Sequence, residues 1–435
     1  MAIIAYLKLL KKVKIVMASI SSIPQFVTAA TGTLHRLEQH LVDSQDLIEA
    51  WLQQEWLKTP APLYSSVDLR NAAYKLAPVD TNLYPAGFNN LNPALRSFAV
   101  TAMQEAITKL QAGAKRVLLI PESHTRSPFY LQSLSVIEEI LSLAGYEVRI
   151  GSLSEELTSA QTMIITDGKT LTLEPLIRTA KRLTVANFDP DVLVLNNDLS
   201  TGIPELLENL EQPIAPSPHL GWAHRLKSTH FEFYQQITVE LASIIDLDPW
   251  LINPEFRRCE GVDFMKGTGL DCLMSNTAEL FEQISKKYTQ YQVEHKPYVV
   301  IKADAGTYGM GVMMVQDISE LEHLNRKERT RMSTAKGSQP IRKVILQEGV
   351  YTSERWGPEQ AVAEPVVYMI NGKIVGSFYR VHAQRSATEN LNAPGMHFES
   401  LGLVTAETTQ PNRFYAYSVI ARLASLAAAR ELASV

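Results

Sequence analysis

The stretch that decides the reading runs Val299-Val300-Ile301-Lys302-Ala303-Asp304-Ala305-Gly306-Thr307-Tyr308-Gly309-Met310-Gly311-Val312-Met313-Met314-Val315. It reads as a strand, a glycine-bearing turn and a second strand. Val299 to Ile301 is a short β-branched apolar run, and Lys302 sets an ammonium at its end. Gly306, Gly309 and Gly311 permit positive φ and close approach of the backbone to a ligand. Such a loop can turn several N–H groups toward phosphate oxygens. It is neither a Walker A loop nor a dinucleotide fingerprint, because no Gly-Lys-Ser/Thr follows and the glycines lead into a strand, not a helix. Two readings stay open on these residues alone: a flap over a nucleotide, and an ordinary glycine hairpin.

The chain of 435 residues is long enough for two or three domains. Its 46% apolar and 20% charged content is that of an ordinary globular protein. A net charge of −5 argues against general nucleic-acid binding. Two cysteines, Cys259 and Cys272, make no disulfide framework or metal pair, which fits a reducing cytoplasm. Met1 to Val16 is apolar but broken by four lysines. It is neither a signal peptide nor long enough to span a bilayer. Residues 1–17 are read as an extension, with Met1 and Met17 both open as the natural start. No later segment has the length and apolarity of a membrane span.

The spacing predicts a helix over Thr33 to Lys58, stopped by Pro60 and Pro62, and another over Ala94 to Gln111. Between them, Ser66 to Leu91 is polar, turn-rich and weakly periodic, either a site-bearing segment or a surface loop. From Arg116 strands and helices alternate: strands at Arg116–Ile120, Tyr146–Ile150, Thr162–Thr166 and Val192–Leu195, helices at Pro128–Ala144, Glu174–Leu183 and Pro204–Leu210. That order predicts a parallel sheet covered by helices. Two polar clusters sit at strand ends, where ligands gather in such sheets: Glu122 to Arg126, with His124, and Asn196-Asn197-Asp198. Helices are expected over Trp222–Ile245, Thr277–Tyr291 and Arg413–Ala433. Asn371-Gly372 marks a tight turn within Glu364 to Val381. Asn325 to Lys343 is a basic island with three open readings: a loop closing over phosphates, a nucleic-acid contact, or a solvated charged loop.

The C-terminal order is a flap with a strand lysine, a basic loop, a strand ending in Gln347-Glu348, a hairpin ending at Arg380, and a loop Glu389-Asn390-Leu391-Asn392-Ala393-Pro394-Gly395. This order resembles the ATP-grasp fold, whose members phosphorylate a carboxylate with ATP and pass the acyl group to a nucleophile. The Glu-x-Asn strand that usually ends that fold is absent after Gly395. The eukaryotic type of glutathione synthetase is similar in carrying its acid-x-Asn strand early, and Asp80-Thr81-Asn82 matches it. From about Thr31 onward the chain resembles the proteobacterial-type glutamate–cysteine ligases. The carriers are Ala77 to Leu91, Lys302 to Gly311, Gln347-Glu348-Gly349-Val350 and Glu389 to Asn392.

The resemblance implies a mixed α/β (α+β), ATP-grasp-like fold, circularly permuted, with an inserted parallel α/β substrate domain. Its expected parts are residues 18–112, completing the metal and substrate site; 113–216, the parallel α/β domain; and 217–435, the ATP-grasp domain. It implies ATP-dependent joining of the glutamate γ-carboxylate to the cysteine amine through a γ-glutamyl phosphate, the first step of glutathione synthesis. Its cofactors are ATP and Mg²⁺ and its partners small molecules, without nucleic acid or membrane; homo-oligomerisation stays open. Catalytic roles are implied for Arg380 and Lys302. ATP binding falls to Lys227, Lys302, Gly306, Gly309, Gly311, Gln347, Glu348 and Val350. Substrate contacts fall to Arg70, Asn89, Asn90, Asn390 and Asn392, and metal ligation to Asp80, Asn82 and Asp304; at their strand end, Glu122 and Arg126 either bind glutamate or satisfy one another. Asp304 departs from the synthetase pattern by sitting nearer the lysine. A glutathione synthetase, or another ATP-dependent carboxylate–amine ligase, is the alternative; a nucleic-acid-binding or regulatory module is the alternative of another class.

Overall fold

A computed structural model of the chain describes residues 32–123, 127–306, 311–334, 340–401 and 413–434. Helices α1 (Thr33–Asp43) and α2 (Gln45–Lys58) divide the single expected helix at Ser44. They lead into β1 (Tyr64–Asn71) and β2 (Leu76–Asn82), then α3 (Arg96–Leu110). Next come β3 (Arg116–Pro121), α4 (Pro128–Leu143), β4 (Glu147–Ser152), β5 (Gln161–Ile164), β6 (Thr170–Pro175), β7 (Ile177–Thr179), β8 (Arg182–Thr184), β9 (Val192–Asn196) and β10 (Ile214–Ala215). The last part holds α5 (Lys227–Ile245), β11 (Phe256–Glu260), α6 (Leu270–Gln290), β12 (Val299–Ala303), β13 (Val312–Val315), α7 (Ser319–Glu322), α8 (Arg326–Ser333), β14 (Lys343–Glu348), β15 (Arg355–Trp356), β16 (Ala361–Ile370), β17 (Lys373–His382), β18 (His397–Leu401) and α9 (Arg413–Ala433).

Three main sheets result. The first is antiparallel in the order β18-β17-β16-β1-β2, with β15 beside β16. The second, β10-β9-β3-β4-β6-β5, is parallel except for the edge strand β5. The third, β11-β14-β12-β13, is antiparallel throughout. The parallel sheet was expected, but the helix expected over Glu174–Leu183 is instead the end of β6 and the hairpin β7–β8. Ala180 turns that hairpin at φ 54°, the Gln212 side chain brackets both backbone groups of Leu183, and Arg178 bonds the carbonyls of Glu205 and Glu208. Tertiary bonds there override a helical spacing. Pro204–Leu210 holds only a short 3₁₀ turn, Glu205–Leu207.

Strand alternation sorts the core. On β1, Val67 and Leu69 face one way and join Ala363, Val367 and Met369 of β16 in a core built with α1, α5 and α9. Nearly every residue of α9 from Ala416 to Ala429 is buried, so its alanines and leucines show no polar face. The opposite face of the same sheet begins apolar, with Val366, Tyr368 and Phe378 packed near α3, and becomes charged further along. The turn Asn371-Gly372 has positive φ at both positions (52° and 71°), which the Asn-Gly pair accommodates. The expected basic loop is partly α8, opened by a capping box between Asn325 and Glu328.

Candidate functional site

Ser66 to Asn82, which by sequence could be a polar loop, is two buried strands. Among its polar residues, Asp68, Arg70 and Asp80 face a cleft. Asp68 and Asp80 stand opposite each other on β1 and β2, and Glu364 stands opposite Arg380 on β16 and β17. These four residues and Arg70 line one wall of a cleft with about 870 Å³ of empty space, counting its open mouth. The other wall is the third sheet. There Val299, Ile301 and Ala303 are buried in the core, so alternation turns Val300 and Lys302 outward; Val312 and Met314 of β13 do likewise. With Tyr298, Gln347 and Val350 they form an apolar face carrying one ammonium. Thr388, Asn390 and Asn392 border the cleft from the loop after β17.

Lys302 spans the two walls. Its Nζ donates to the Val79 carbonyl at 2.9 Å and to Gln347 Oε1 at 2.7 Å. Burial pulls the Lys302 ammonium down to about 8, with the Asp80 charge opposing the drop. Lys227, at the start of α5, pairs with Asp80 at 3.1 Å and lies 3.7 Å over the Trp222 ring. Burial would raise the Asp80 carboxyl, but Lys227 and Lys302 outweigh it and hold it below the usual carboxylate range. Arg380 donates from Nη1 to both Asp68 and Glu364 at 2.6 Å. Burial, helped by the Glu364 and Asp80 charges, pushes the Asp68 carboxyl up despite Arg380. Burial also works against Glu364, yet Arg70 and Arg380 together hold that carboxyl down. Two buried donors of cleft residues, Arg380 Nε and Gln347 Nε2, have no protein partner. Unserved buried donors beside ammonium and guanidinium groups suit an anionic, acceptor-rich ligand.

Other candidates have different surroundings. Arg70 lines the cleft, but its guanidinium serves Glu364, the Tyr298 hydroxyl and the carbonyls of Val350, Ala387 and Glu389, so it is spent on holding the loop. Glu348 is buried and accepts from Lys75 at 2.5 Å, from Trp250 Nε1 and from the Glu255 backbone. Burial pushes both members of that pair toward neutrality, Lys75 down and Glu348 up. Asp304 lies outside the cleft lining: its two oxygens accept from the Ser228 backbone and hydroxyl, both at 2.7 Å, anchoring α5. Asn82 closes an Asx turn on Tyr84 and also lies outside the lining. Asp80 is thus the one member of the expected metal trio that borders the cleft. Asn89, Asn90 and Gly311 are not among the lining residues, while Gly306 is. Glu122 accepts from the Asp198 backbone, so the two strand-end clusters of the parallel sheet bind each other. His124, Arg126 and Gly309 lie outside the described residues.

Sequence reasoning missed Asp68, Glu364 and the buried Lys75. The signal was present for the first: Asp68 and Arg70 are two apart, so in a strand they share a face. Among the described residues no cluster of three His, Cys, Asp or Glu side chains is poised for a metal, and no helix is long and apolar enough to cross a membrane.

The family model for glutamate–cysteine ligase matches residues 38–432. A solved structure from Methylobacillus flagellatus KT, described as a candidate γ-glutamylcysteine synthetase, is similar with a TM-score of 0.87 and 49% identity, covering 95% of this chain and 99% of that one. D-alanyl-alanine synthetase A from Vibrio cholerae O1 biovar eltor str. N16961 (TM-score 0.33, 14% identity, covering 71% of this chain and 80% of that one) is far looser. So is a glutathione synthetase-like effector from Globodera pallida in its apo form (0.38, 10%, covering 85% and 83%). At that distance neither carries an argument. No curated protein sequence matches. A family match across nearly the whole described chain, and a solved relative alike from end to end, lead to one conclusion: the chain belongs to the glutamate–cysteine ligase family.

Proposed function

We propose that this protein joins the γ-carboxylate of glutamate to the amine of cysteine at the expense of ATP, in the cleft between its first and third sheets. The observation that carries this is the facing of two unlike walls. One is a flat apolar face bearing Lys302; the other is a floor of Asp68, Asp80, Glu364 and Arg380. The nucleotide base lies against Val300, Met314, Tyr298 and Val350. Lys302, Lys227 and Arg380 face the phosphates, where fixed cations stabilise developing charge without reorganisation. The glutamate γ-carboxylate oxygen bonds to the γ-phosphorus as the bond to the β-phosphate oxygen breaks, releasing ADP. The cysteine amine then bonds to the acyl carbon, phosphate departs, and the amine gives up a proton. Asn390 and Asn392, at the mouth, orient the amino-acid substrates.

The residues present fit Mg²⁺. This ion is held by one or two carboxylates together with substrate phosphates, not by an all-protein cage. Asp80, with Asp68 on the adjacent strand, would hold it and so neutralise phosphate charge. We further propose that residues 18–112 and 217–435 share this site in a permuted ATP-grasp arrangement, with 113–216 as the inserted unit. The enzyme acts on small molecules in the cytoplasm.

The test is ADP release with glutamate while single amino acids are added. Cysteine-dependent turnover is expected. Silence with cysteine, and turnover with γ-glutamylcysteine plus glycine, would move the assignment to the synthetase.

A further inference from the structure

The strand that delivers Asp80 is an edge. In the first sheet, β2 pairs with β1 on one side and, among the described residues, with no strand on the other. Edge carbonyls need partners from elsewhere. Two of them, at Thr81 and at Val79 where the register against β1 shifts, are served by cations. The Val79 carbonyl accepts from Lys302 Nζ at 2.9 Å, and the Thr81 carbonyl accepts from Arg225 Nη1 at 2.6 Å. Asp80 sits between these two stitches.

Arg225 is itself fixed from a distance. It is buried, and Glu431 of α9 grips it through both oxygens, Nε at 2.9 Å and Nη2 at 3.1 Å. His230 Nδ1 lies 3.1 Å from Nη2, and the guanidinium sits 5.1 Å from the Trp222 ring centre. The same ring underlies Lys227, the partner of Asp80. A planar fork held at two nitrogens has one direction left for Nη1. Glu431 therefore determines where the Thr81 carbonyl is held.

We infer that Glu431, near the C-terminal end of α9, is a positioning residue. Through Arg225 it locks the edge strand β2, and so sets Asp80 and Lys227 at the distance the phosphates of ATP require. This inference rests on the ligase reading for its chemistry, but on the strand geometry alone for its nucleotide effect.

A single change would strand a buried charge, so the decisive variant removes both. Replacing a buried ion pair by apolar side chains is often neutral for stability. R225M/E431L should therefore melt close to wild type, while the Thr81 carbonyl loses its donor. A displacement of about 1 Å costs on the order of 100-fold in rate. The double variant should show that fall in kcat/KM for ATP. In calorimetry with Mg·ATP and no amino acid, it should show ~10-fold weaker binding. The Glu431→Gln variant, which keeps the shape and one of the two acceptor oxygens toward Arg225, should retain part of the nucleotide affinity, between wild type and the double variant. If the double variant binds and turns over ATP like wild type, the inference is overturned, whatever the ligase assay shows. If it loses affinity and wild type shows no cysteine-dependent turnover, the strut stands and the ligase reading falls. Loss of folding in the double variant would itself overturn the inference, because the pair would then serve stability.

Discussion

Lys302 offers the sharpest test, because stability and activity should move apart when it is replaced. Burial lowers its ammonium from 10.5 to about 8. Converted by linkage, that depression costs the folded state about 3 kcal/mol, and about 2 once the open side of the cleft is discounted. The sign follows from the direction. The unfolded chain holds this proton more tightly, so the cost is fully present below pH 8 and fades as pH rises from 8 to 10.5. Lys302→Met removes the cost but leaves the Val79 carbonyl and Gln347 Oε1 without their donor, a loss of about 1–3 kcal/mol. The two nearly cancel, so the melting temperature at pH 7 should stay within a few degrees of wild type. Activity should not: losing one fixed cation from developing phosphate charge costs about 100- to 1000-fold in kcat/KM. Phosphate binding draws the proton back, so wild-type KM for ATP should climb about tenfold per pH unit above pH 8. Lys302→Arg should flatten that climb, because a guanidinium stays charged. ADP release and thermal melts across pH 6.5–9.5 measure both. A Met variant that loses more than about 4 kcal/mol, with a wild-type KM flat above pH 8, would refute the reasoning.

Arg380→Ala leaves Asp68 and Glu364 buried without their shared cation, so it should cost about 3–5 kcal/mol as well as turnover. The deficit against wild type should shrink from pH 7 toward pH 4 as those acids take up protons; a deficit independent of pH in denaturant titrations would contradict the pairing. At Gly349 an added Cβ would overlap the Tyr298 ring. Gly349→Ala should therefore push the ring toward the apolar face and raise KM for ATP about tenfold, with a smaller change in kcat; an unaltered KM would remove Tyr298 from the base site. Burial opposes ionisation of Glu431, but Arg225 and His230 outweigh it and hold the carboxyl down to about 2. Its stabilising contribution is present above the unfolded value near 4.5 and lost as pH falls toward 2. The Glu431→Gln variant should then show a flatter melting curve against pH over that interval, and one as steep as wild type would count against the pair. Lys75→Met should cost about 3–5 kcal/mol by stranding Glu348, and a cost below 1 kcal/mol in denaturant titration would show that the carboxyl is already neutral.

Much of the framework was readable from local pattern. The hairpin at Asn371-Gly372, the strand lysine at 302 and the α9 helix follow from turn chemistry, alternation and propensity, all short-range properties. What escaped was set by distant partners. Asp68 and Arg70 look like loop residues because strands are recognised by apolar alternation, and here the alternate face is the floor of a cleft. Asp304 reads as a metal ligand by likeness in kind, although it sits nearer the lysine than the synthetase pattern has it. Its oxygens accept from Ser228, seventy-six residues earlier in the chain, a partner that no spacing rule could anticipate. Glu174–Leu183 has helical spacing, and it is held extended by pairing of β6 with β4, by the β7–β8 hairpin and by brackets from Gln212 and Arg178.

The pairing of β1 with β16 bears on how the molecule is made. Tyr64 lies opposite Ile370, so the central strand pair of the first sheet closes across some three hundred residues of intervening chain. During synthesis, β1 and β2 leave the ribosome long before β16 exists. The parallel sheet between them can collapse early, since its own strands follow one another closely. The Val67–Leu69 edge cannot be covered until residue 370 has emerged. At about 5–20 residues per second, that leaves an apolar strand exposed for roughly 15–60 s. This interval, more than the stability of the finished fold, should set how readily the chain aggregates when overproduced, and slower translation or a holding chaperone acting on β1 should alter the yield.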